Sequence, residues 1–496
     1  MYKISREFTS LESLRKLMIK YSSTSKLKKP ESIKNSKKSL KNKYKNKPNL
    51  QVSVANVVMD AFNVNKTDKC KNSKSQEARY SVLERYFPAV YSKYRHWEPT
   101  VYGNNYYSTL QKEMGMDFTL VSYNILAQDL LENHSYIYKN HKNDALNWSH
   151  RLSKLTDELL LLKPHIICLQ EVQHDHLDDI KFNLKELNLK CIYKKKTGIR
   201  TDGCAIFYND SKFVLKDFKS VEFYQPNIEK LDRENVGLIV RLSLKENPEE
   251  YIIVATTHLL YNPKRQDVRL AQIQVLLAEL DHLSFRGLYK DGIPERFPII
   301  LTGDFNLKPC SAPYKLLTRG ELEYSNLTRL TLEEPFSEDA NLVGKQFLPP
   351  HLGITDNCQH IDVVGHSYTK PSRLYSSDNN ERSGKISPDL VESCPQLFSS
   401  GQLTHSLNLN SAYHHVNKTN EKYASTYQDE WITVDYIFYN KKLGTGTDSN
   451  LKLLSRYVLP TVSQCIQMGM IPNNRLGSDH LALAVHFFFK TEKVTS

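Results

Sequence analysis

Residues 298–306 read PIILTGDFN, and this stretch shows the pattern that decides the fold of the chain. An apolar run of strand length ends at Gly303 and is followed by two polar residues, Asp304 and Asn306. On an extended backbone, side chains two positions apart lie on the same face. The stretch therefore predicts a buried strand whose end presents a carboxylate and an amide together, with Gly303 allowing close approach to a ligand. An Asx-turn at the end of an ordinary strand is the alternative that these residues leave open.

Short apolar runs of this kind recur from about residue 117, separated by longer amphipathic segments. The runs predicted as strands are 118–126, 165–172, 204–209, 236–244, 251–259, 298–306, 434–440 and 480–489. Residues 150–163 and 267–283 place apolar side chains at helical spacing, and Pro164 ends the first of these segments. Strands that alternate with helices predict a mixed α/β layered domain over residues 117–496.

One segment of this domain, residues 346–429, is rich in Ser, Asn, His and Pro and has little hydrophobic periodicity. Loops of this length in a compact domain are usually functional or disordered. We therefore expect a loop-rich insertion near the mouth of the active site.

The formal net charge of +12 lies entirely in the first 50 residues, which hold 15 Lys and Arg against three Glu. Residues 51–496 carry 52 basic and 52 acidic residues, so the body of the protein is electrically balanced. The Lys-rich run 26–47 has no apolar periodicity and predicts a disordered tail, followed by an extension or linker over 51–116. A solubilising or targeting segment and a sequence-independent RNA tether are both open interpretations of the tail.

Composition excludes several classes of protein. No apolar run approaches the roughly 20 residues of a membrane-spanning helix, so we expect no membrane association. The eight cysteines form no C-x-x-C pair, which argues against a zinc ribbon and a disulfide framework. A reducing compartment, the cytoplasm or the nucleus, is the expectation; a mitochondrial presequence over the first 25 residues is the alternative, which Glu7 and Glu12 fit poorly.

Several predicted strands end in a side chain that can bind a metal ion or a phosphate. These residues are Asn124, Glu171, His258, Asp304, Asn306, Asp435, Asp479 and His480. Glu171 would supply the hard oxygen ligand that Mg²⁺ prefers, although a Glu here could also cap a following helix. Either histidine alone would be unremarkable, so the functional interpretation depends on the whole set.

Asp479 and His480 are neighbours in the chain, and on a strand they would point to opposite faces. Either one of them is turned, or they belong to a wider dyad in which a carboxylate holds an imidazole in one tautomer. His258 ends its strand as a potential donor to a phosphoryl oxygen.

Eight motifs, in order over about residues 118–489, resemble the deadenylase-like branch of the endonuclease/exonuclease/phosphatase superfamily. They are SYNIL, LQEVQ, TGIRTDGCAIFY, LDRENVGLIV, TTHLLYNPKRQDVRLAQ, LTGDFNLKP, VDYIFY and GSDH. Within this branch the chain is most similar to the Angel proteins, in particular the second Angel paralogue. The segments YKKKTGIRTDGCAIFY and THLLYNPKRQDVRLAQ carry this finer resemblance.

The resemblance implies a DNase-I-like, four-layer α/β sandwich of two packed mixed β-sheets flanked by helices. It implies Mg²⁺ as the cofactor, with Mn²⁺ able to substitute. The implied metal residues are Glu171, Asn124 and Asp435; the catalytic residues are Asp304, Asn306, His258, His480 and Asp479; the substrate contacts are Asn235, Asn124, His258 and Asn306. In this scheme Asp304 activates water, and Asp479 holds His480.

The resemblance also implies the reaction, which is removal of a 2′,3′-cyclic phosphate from RNA 3′ ends to leave a 2′,3′-diol. A 3′–5′ poly(A) exoribonuclease is the alternative, because it would share the metal, the water and the phosphate site. A non-catalytic scaffold that binds translation factors is a third hypothesis, but a scaffold has no need of Glu171, Asp304 and His480 together. RNA 3′ ends are the expected partner of a monomeric protein, with translation factors or RNA-processing proteins as further partners.

Overall fold

The computed structural model describes residues 93–109, 113–289, 294–334, 346–361, 395–427, 429–441 and 448–491. The predictions for the tail, residues 1–50, and for most of residues 51–116 lie outside the described residues. The strands are β1 (Trp97–Pro99), β2 (Gly115–Asn124), β3 (Ile166–Gln173), β4 (Leu189–Lys195), β5 (Asp202–Asn209), β6 (Phe213–Glu222), β7 (Val236–Leu244), β8 (Tyr251–His258), β9 (Phe285–Leu288), β10 (Pro294–Arg296), β11 (Ile299–Asp304), β12 (Glu321–Glu323), β13 (Gln402–Thr404), β14 (Leu409–Ser411), β15 (Thr426–Tyr427), β16 (Trp431–Ile432), β17 (Asp435–Asn440), β18 (Leu451–Tyr457) and β19 (Leu483–Lys490). The helices are α1 (Val101–Ser108), α2 (Gln128–Asn133), α3 (Asn143–Leu146), α4 (Trp148–Leu162), α5 (Leu177–Asn183), α6 (Gln266–Ser284), α7 (Ala312–Arg319) and α8 (Val462–Met468). Within the described ranges, no helix is both long and apolar enough to cross a membrane.

Two mixed sheets organise these strands. The seven-stranded sheet has the order β1-β18-β19-β2-β3-β5-β4, and the six-stranded sheet has the order β14-β17-β11-β8-β7-β6. Each sheet contains one parallel pair near its centre, β2 with β3 and β8 with β11, and its other neighbours are antiparallel. The carboxyl ends of a parallel pair lie at one edge of the sheet, so each sheet presents two adjacent strand ends.

Buried apolar side chains form three layers of contact. Between the sheets lie Leu120, Ile166, Ile206, Leu238, Val240, Ile252 and Val254. Helices α4 and α5 cover the outer face of the seven-stranded sheet through Leu155, Leu159 and Ile180, which pack with Val121, Ile167 and Leu169. Helices α6 and α7 cover the other sheet through Leu270, Leu277 and Leu316, which pack with Ile239, Ile253 and Leu301. The predicted four-layer α/β sandwich is confirmed.

The two-sided burial explains why the strands were visible as continuous apolar runs. Consecutive residues alternate between faces, so Ile166 and Ile252 enter the layer between the sheets while Ile167 and Ile253 pack under helices. All eight predicted strands are present, with ends within a few residues of the prediction, and both predicted helices correspond to α4 and α6. Burial of each such Leu or Ile side chain contributes about 1.5–3 kcal/mol relative to exposure.

Some strands lacked this signal. Strands β4 and β6 lie at the edges of their sheets and are mostly half-buried, so polar residues interrupt their apolar pattern. Strand β1 pairs with β18, so the seven-stranded sheet includes residues upstream of the predicted domain start at 117. The described parts of segment 346–429 contain only short elements, yet β14 forms an edge of the six-stranded sheet, and Phe347 and Leu403 are buried against the outer helices.

Candidate active site

The two parallel pairs place four polar side chains together. Asn124 ends β2 and Glu171 lies near the end of β3, while His258 and Asp304 end β8 and β11 and are paired in register. The Nδ2 amide of Asn124 donates to Glu171 Oε1 and to Asp304 Oδ2, both at 3.0 Å. This amide therefore joins the edge of one sheet to the edge of the other.

Glu171 occupies an irregular position in its strand. The pairing of β3 with β5 shifts register between Leu169 and Val172, and Glu171 has a φ of 57°. Such a bulge re-aims a side chain, and a left-handed backbone is uncommon at a residue other than glycine. The carboxylate is held from both sides, because the Ala127 backbone N–H donates to its Oε2 at 2.9 Å.

Asp304 is fixed by the loop that follows it. The Asn306 backbone N–H donates to Asp304 Oδ1 at 3.0 Å, and the Asn306 side chain donates to the Leu259 carbonyl at 3.0 Å. Gly303 packs tightly against the neighbouring strand, because a Cβ there would lie 2.1 Å from the Thr257 carbonyl oxygen of β8; its expected role in ligand approach stays a prediction. Close strand packing, with a φ of 147°, is what requires this glycine.

His480 has a different partner from the one expected. Its Nδ1 lies 2.9 Å from Asp435 Oδ2, and Ser425 Oγ donates to the same oxygen at 2.6 Å. The Asp479 carboxylate instead accepts a hydrogen bond from the Tyr138 hydroxyl at 2.7 Å. The interpretation that Asp479 holds His480 is therefore wrong, because the two side chains have different partners in the fold.

His258 lies between two carboxylates. Its Nε2 is 3.6 Å from Asp304 Oδ2 and its Nδ1 is 3.9 Å from Glu171 Oε1. Among the described residues, this buried Nδ1 has no hydrogen-bond partner. The Asn235 amide donates to the His258 carbonyl at 3.0 Å and accepts from Gln272 at 3.1 Å, so it supports the strand end and retains one donor and one acceptor position for a ligand.

All nine predicted site residues meet in one region, around a cleft of about 910 Å³. Those that line the cleft are Glu171, Asn235, His258, Asp304, Asn306, Asp479 and His480. Asn124 and Asp435 lie behind this lining and hold its members through hydrogen bonds. The described residues of segment 346–429, which was expected at the mouth, line none of the cleft, and residues 362–394 lie outside the described ranges.

Two acids of the site, Asp304 and Glu171, hold their protons more tightly than usual. Burial, followed by the nearby charge of Asp435, raises the pKa of Asp304 to about 7. Burial, followed by the charge of Asp202, raises the pKa of Glu171. These shifts arise because carboxylates are crowded together away from water, which favours a proton or a cation among them.

The two imidazoles are shifted in opposite directions. Burial, and then the positive charge of Lys196, lowers the pKa of His258 well below its ordinary value. Burial also opposes protonation of His480, but the charge and hydrogen bond of Asp435 outweigh it and raise the pKa of His480 well above its ordinary value. The site therefore combines a neutral and a protonated imidazole.

The cleft as a whole is acidic. Its lining includes four cationic side chains, Lys196, Arg200, Arg233 and the protonated His480, against six acidic ones: Glu171, Asp202, Asp232, Glu234, Asp304 and Asp479. Such a lining would repel a phosphate unless a cation were bound.

The donor set fits a divalent cation. Glu171, His258 and Asp304 offer ligand atoms within 4.8 Å of one another, and so do Asp304, Asp435 and His480. The unpaired Nδ1 of His258 and the excess of carboxylates are the features that an ion would satisfy. Because the donors are mainly carboxylate oxygens and no cysteine takes part, the set suits a hard ion.

Several supporting residues were missed by the sequence interpretation. Tyr138 and Ser425 bond the site carboxylates from segments without a distinctive pattern. Lys196 lies in the cleft and pairs with Asp202 at 2.7 Å; both belong to the YKKKTGIRTDGCAIFY segment, which was a usable signal. Arg151 of α4 is fully buried and bonds the loops on either side of the site.

Comparisons with known proteins identify a family and relatives of this chain. The model of the Endonuclease/Exonuclease/phosphatase family matches residues 121–480. Protein angel homolog 2 of Mus musculus is 36% identical over 393 residues, which cover 76% of this chain and 70% of that protein. Protein angel of Drosophila melanogaster is 37% identical over 375 residues, which cover 75% of this chain and 80% of that protein.

A solved structure is also similar. The crystal structure of ANGEL2, a 2′,3′-cyclic phosphatase, in complex with adenosine-2′,3′-vanadate, matches with a TM-score of 0.64 and 34% identity. The match covers 80% of this chain and 99% of that one.

Proposed function

The chain belongs to the endonuclease/exonuclease/phosphatase family, and from this premise we propose that it is a Mg²⁺-dependent phosphohydrolase that converts 2′,3′-cyclic phosphate ends of RNA to 2′,3′-diol ends. The observation that carries the proposal is the joining of Glu171, Asp304 and His480 at the floor of one cleft. The similarity to ANGEL2, a 2′,3′-cyclic phosphatase, supports this choice of substrate within the family.

In this proposal Glu171 is the main metal ligand, with Asn124 orienting its carboxylate and Asp304 nearby. Mg²⁺ is preferred because the donors are hard oxygens, and Mn²⁺ can replace it, whereas Zn²⁺ suits sites with more nitrogen or sulfur ligands. When bound, the ion polarises a phosphoryl oxygen and offsets the negative charge of the cleft.

Asp304 is the proposed general base. A carboxylate with a pKa of about 7 can accept a proton from an attacking water near neutral pH, and Asn124 and the Asn306 backbone hold its two oxygens in place. It lies 3.6 Å from His258 and 3.7 Å from His480, which supports the activation of a water beside the groups proposed to bind the phosphate.

The imidazoles are proposed to bind the phosphate. Neutral His258 donates one hydrogen bond to a phosphoryl oxygen, and protonated His480 stabilises the charge that develops there. Asp435 keeps His480 protonated and oriented through the 2.9 Å contact with its Nδ1. The Asn306 and Asn235 amides at the cleft wall contact the phosphate and the terminal nucleotide, respectively.

The reaction takes two displacements at phosphorus. In the first, one water opens the ring by breaking one ester P–O bond, which leaves a phosphomonoester on one hydroxyl. In the second, another water breaks the remaining ester bond, which releases inorganic phosphate and leaves the 2′,3′-diol.

An end-labelled RNA tests this function directly. The purified chain with Mg²⁺ should convert an RNA ending in a 2′,3′-cyclic phosphate to a diol of unchanged length and release inorganic phosphate. The same RNA with a 3′-hydroxyl poly(A) end should be shortened far more slowly. Rapid laddering of the poly(A) end with the cyclic end left intact would make the protein a deadenylase, and inertness toward both would favour a scaffold.

A further inference from the structure

The mouth of the cleft displays hydrophobic side chains that the fold does not bury. Tyr224, Tyr261 and Ile137 line the cleft and are 42%, 56% and 41% exposed. Ile199 is 94% exposed, and its two neighbours in the chain also line the cleft. Single exposed apolar residues are common, but a group of them around one opening marks a binding surface. We call Ile199, Tyr224 and Tyr261 the rim.

The loop that carries Ile199 is held in place by hydrogen bonds, although the Ile199 side chain itself is almost fully exposed. Lys195 Nζ donates to the carbonyl oxygens of Lys196, Gly198 and Arg200 at 3.2, 3.2 and 2.6 Å. Arg200 Nε donates to Glu234 Oε2 at 2.6 Å. An exposed hydrophobic side chain on a fixed loop loses little further conformational freedom when a ligand covers it.

Charge around the rim does not favour a nucleic-acid backbone. Arg200 is paired with Glu234, Arg233 lies 3.6 Å from Asp232, and Lys196 lies 2.7 Å from Asp202, so all three Lys and Arg residues of the cleft face carboxylates. Binding of nucleotides at this surface must therefore come mainly from contact with bases. Aromatic and aliphatic surfaces bind unpaired bases without regard to sequence, whereas paired bases are already stacked and do not offer their faces.

We propose that Ile199, Tyr224 and Tyr261 hold the unpaired nucleotides immediately upstream of the terminal one, so that the enzyme acts on single-stranded 3′ ends and rejects ends within a duplex. The inference rests on the proposed function and specifies its substrate as an unpaired 3′ end. Tyr261 and Ile199 are specificity-determining residues in this scheme and take no part in the chemistry.

A set of RNAs with the same cyclic phosphate end tests the proposal. In one member the end is blunt in a hairpin stem, in others it overhangs by one to four nucleotides, and adenosine 2′,3′-cyclic phosphate serves as the minimal substrate. With the full chain and Mg²⁺, kcat/KM should rise from the blunt end to an overhang of about three nucleotides and then level off. Tyr261→Ala should raise KM for the long overhang by about tenfold, the size expected for loss of one base–aromatic stack, with kcat unchanged.

Matched variants distinguish the loss of rim contacts from a general loss of activity. Ile199→Ala should also lower the preference for overhanging ends. The control is Ile466→Ala, at an isoleucine that is 66% exposed on α8 and lies away from the cleft, and it should leave this preference unchanged. All variants should hydrolyse adenosine 2′,3′-cyclic phosphate at the wild-type rate. The proposal would be overturned if wild-type kcat/KM were equal on blunt and overhanging ends. It would also be overturned if the rim variants lost as much kcat/KM on the mononucleotide as on RNA. Wild-type inactivity on every cyclic phosphate, the mononucleotide included, would instead overturn the proposed function and the inference with it.

Discussion

At the residue scale, His480 is held by Asp435 and not by Asp479, which is its neighbour in the chain. Asp435 Oδ2 accepts from His480 Nδ1 and from Ser425 Oγ, at 2.9 and 2.6 Å. Asp435→Asn keeps the shape and removes the charge. We expect kcat to fall about 10- to 100-fold, as is usual when the group that orients a catalytic imidazole is lost, and the pKa of His480 to fall.

Imidazole NMR titration of Asp435→Asn and Asp479→Asn checks this prediction. Only the first variant should shift the pKa of His480 strongly, because the Asp479 carboxylate is held by Tyr138. If the Asp479 variant shifted it more, the assignment of Asp435 as the partner would be wrong.

For Glu171 we expect a substitution that lowers activity without lowering stability. Glu171→Gln removes the charge of the proposed metal ligand at nearly constant volume, so kcat/KM should fall by about 10²- to 10³-fold. Because burial raises the pKa of the Glu171 carboxyl, its charged form opposes folding without metal. In EDTA at neutral pH the variant should therefore melt no lower than wild type. A matched loss of activity and of Tm would point to simple unfolding.

At the element scale, helix α4 holds two loops of the site in place through Arg151. Its fully buried guanidinium donates to the carbonyl oxygens of Ile125, Leu126 and Gly477 at 3.0, 2.8 and 3.0 Å. The first loop leads to the Ala127 N–H that binds Glu171, and the second leads to the Asp479–His480 pair. The helix thus links the two loops on either side of the candidate site.

Arg151→Met should remove these hydrogen bonds while retaining much of the apolar volume. Buried carbonyl groups left unsatisfied cost about 1–3 kcal/mol each, so the free energy of unfolding should fall by at least about 2 kcal/mol. Denaturant titration measures this, and Lys154→Met on the more exposed face of α4 is the control, with a change within about 0.5 kcal/mol. Equal effects of the two variants would contradict a role for Arg151 in tying the loops.

At the scale of the whole molecule, the acidic centre links stability to pH and to metal. The pKa of Asp304 is raised to about 7, first by burial and then by Asp435, so the folded state keeps a proton that the unfolded state releases near pH 4. This stabilising contribution is fully present below about pH 4 and is lost as the pH rises to about 7. Metal binding needs the ionised carboxylates, so its affinity rises through the same window.

Millimolar Mg²⁺ should therefore raise the Tm more at about pH 8 than at about pH 6. Differential scanning fluorimetry at both pH values, with and without Mg²⁺, measures the rise in Tm. The stabilisation behind this rise grows with the logarithm of the Mg²⁺ concentration divided by the apparent Kd. Glu171→Gln should largely abolish the shift at both pH values. A shift of equal size at both pH values in wild type would mean that the ion does not bind to these carboxylates.

The layered fold, and most of the polar side chains that gather around the cleft, could be predicted from the sequence alone. Central strands that are buried on both faces must be continuously apolar, so they were visible as runs, and the polar side chains at their ends could be identified as a converging set. Edge strands such as β4 and β6 are half-exposed and carry no such signal.

Which polar groups bond to one another could not be predicted from the sequence, because the partners come from remote segments. His480 and Asp435 are 45 residues apart, and Tyr138 and Asp479 are 341 apart, while the nearest carboxylate in the chain proved to be the wrong partner for the imidazole. The net balance of residues 51–496 likewise concealed an acidic cleft. A local pattern records which face of a strand a side chain takes, but hydrogen bonds and local fields depend on the packing of segments that are remote in the chain.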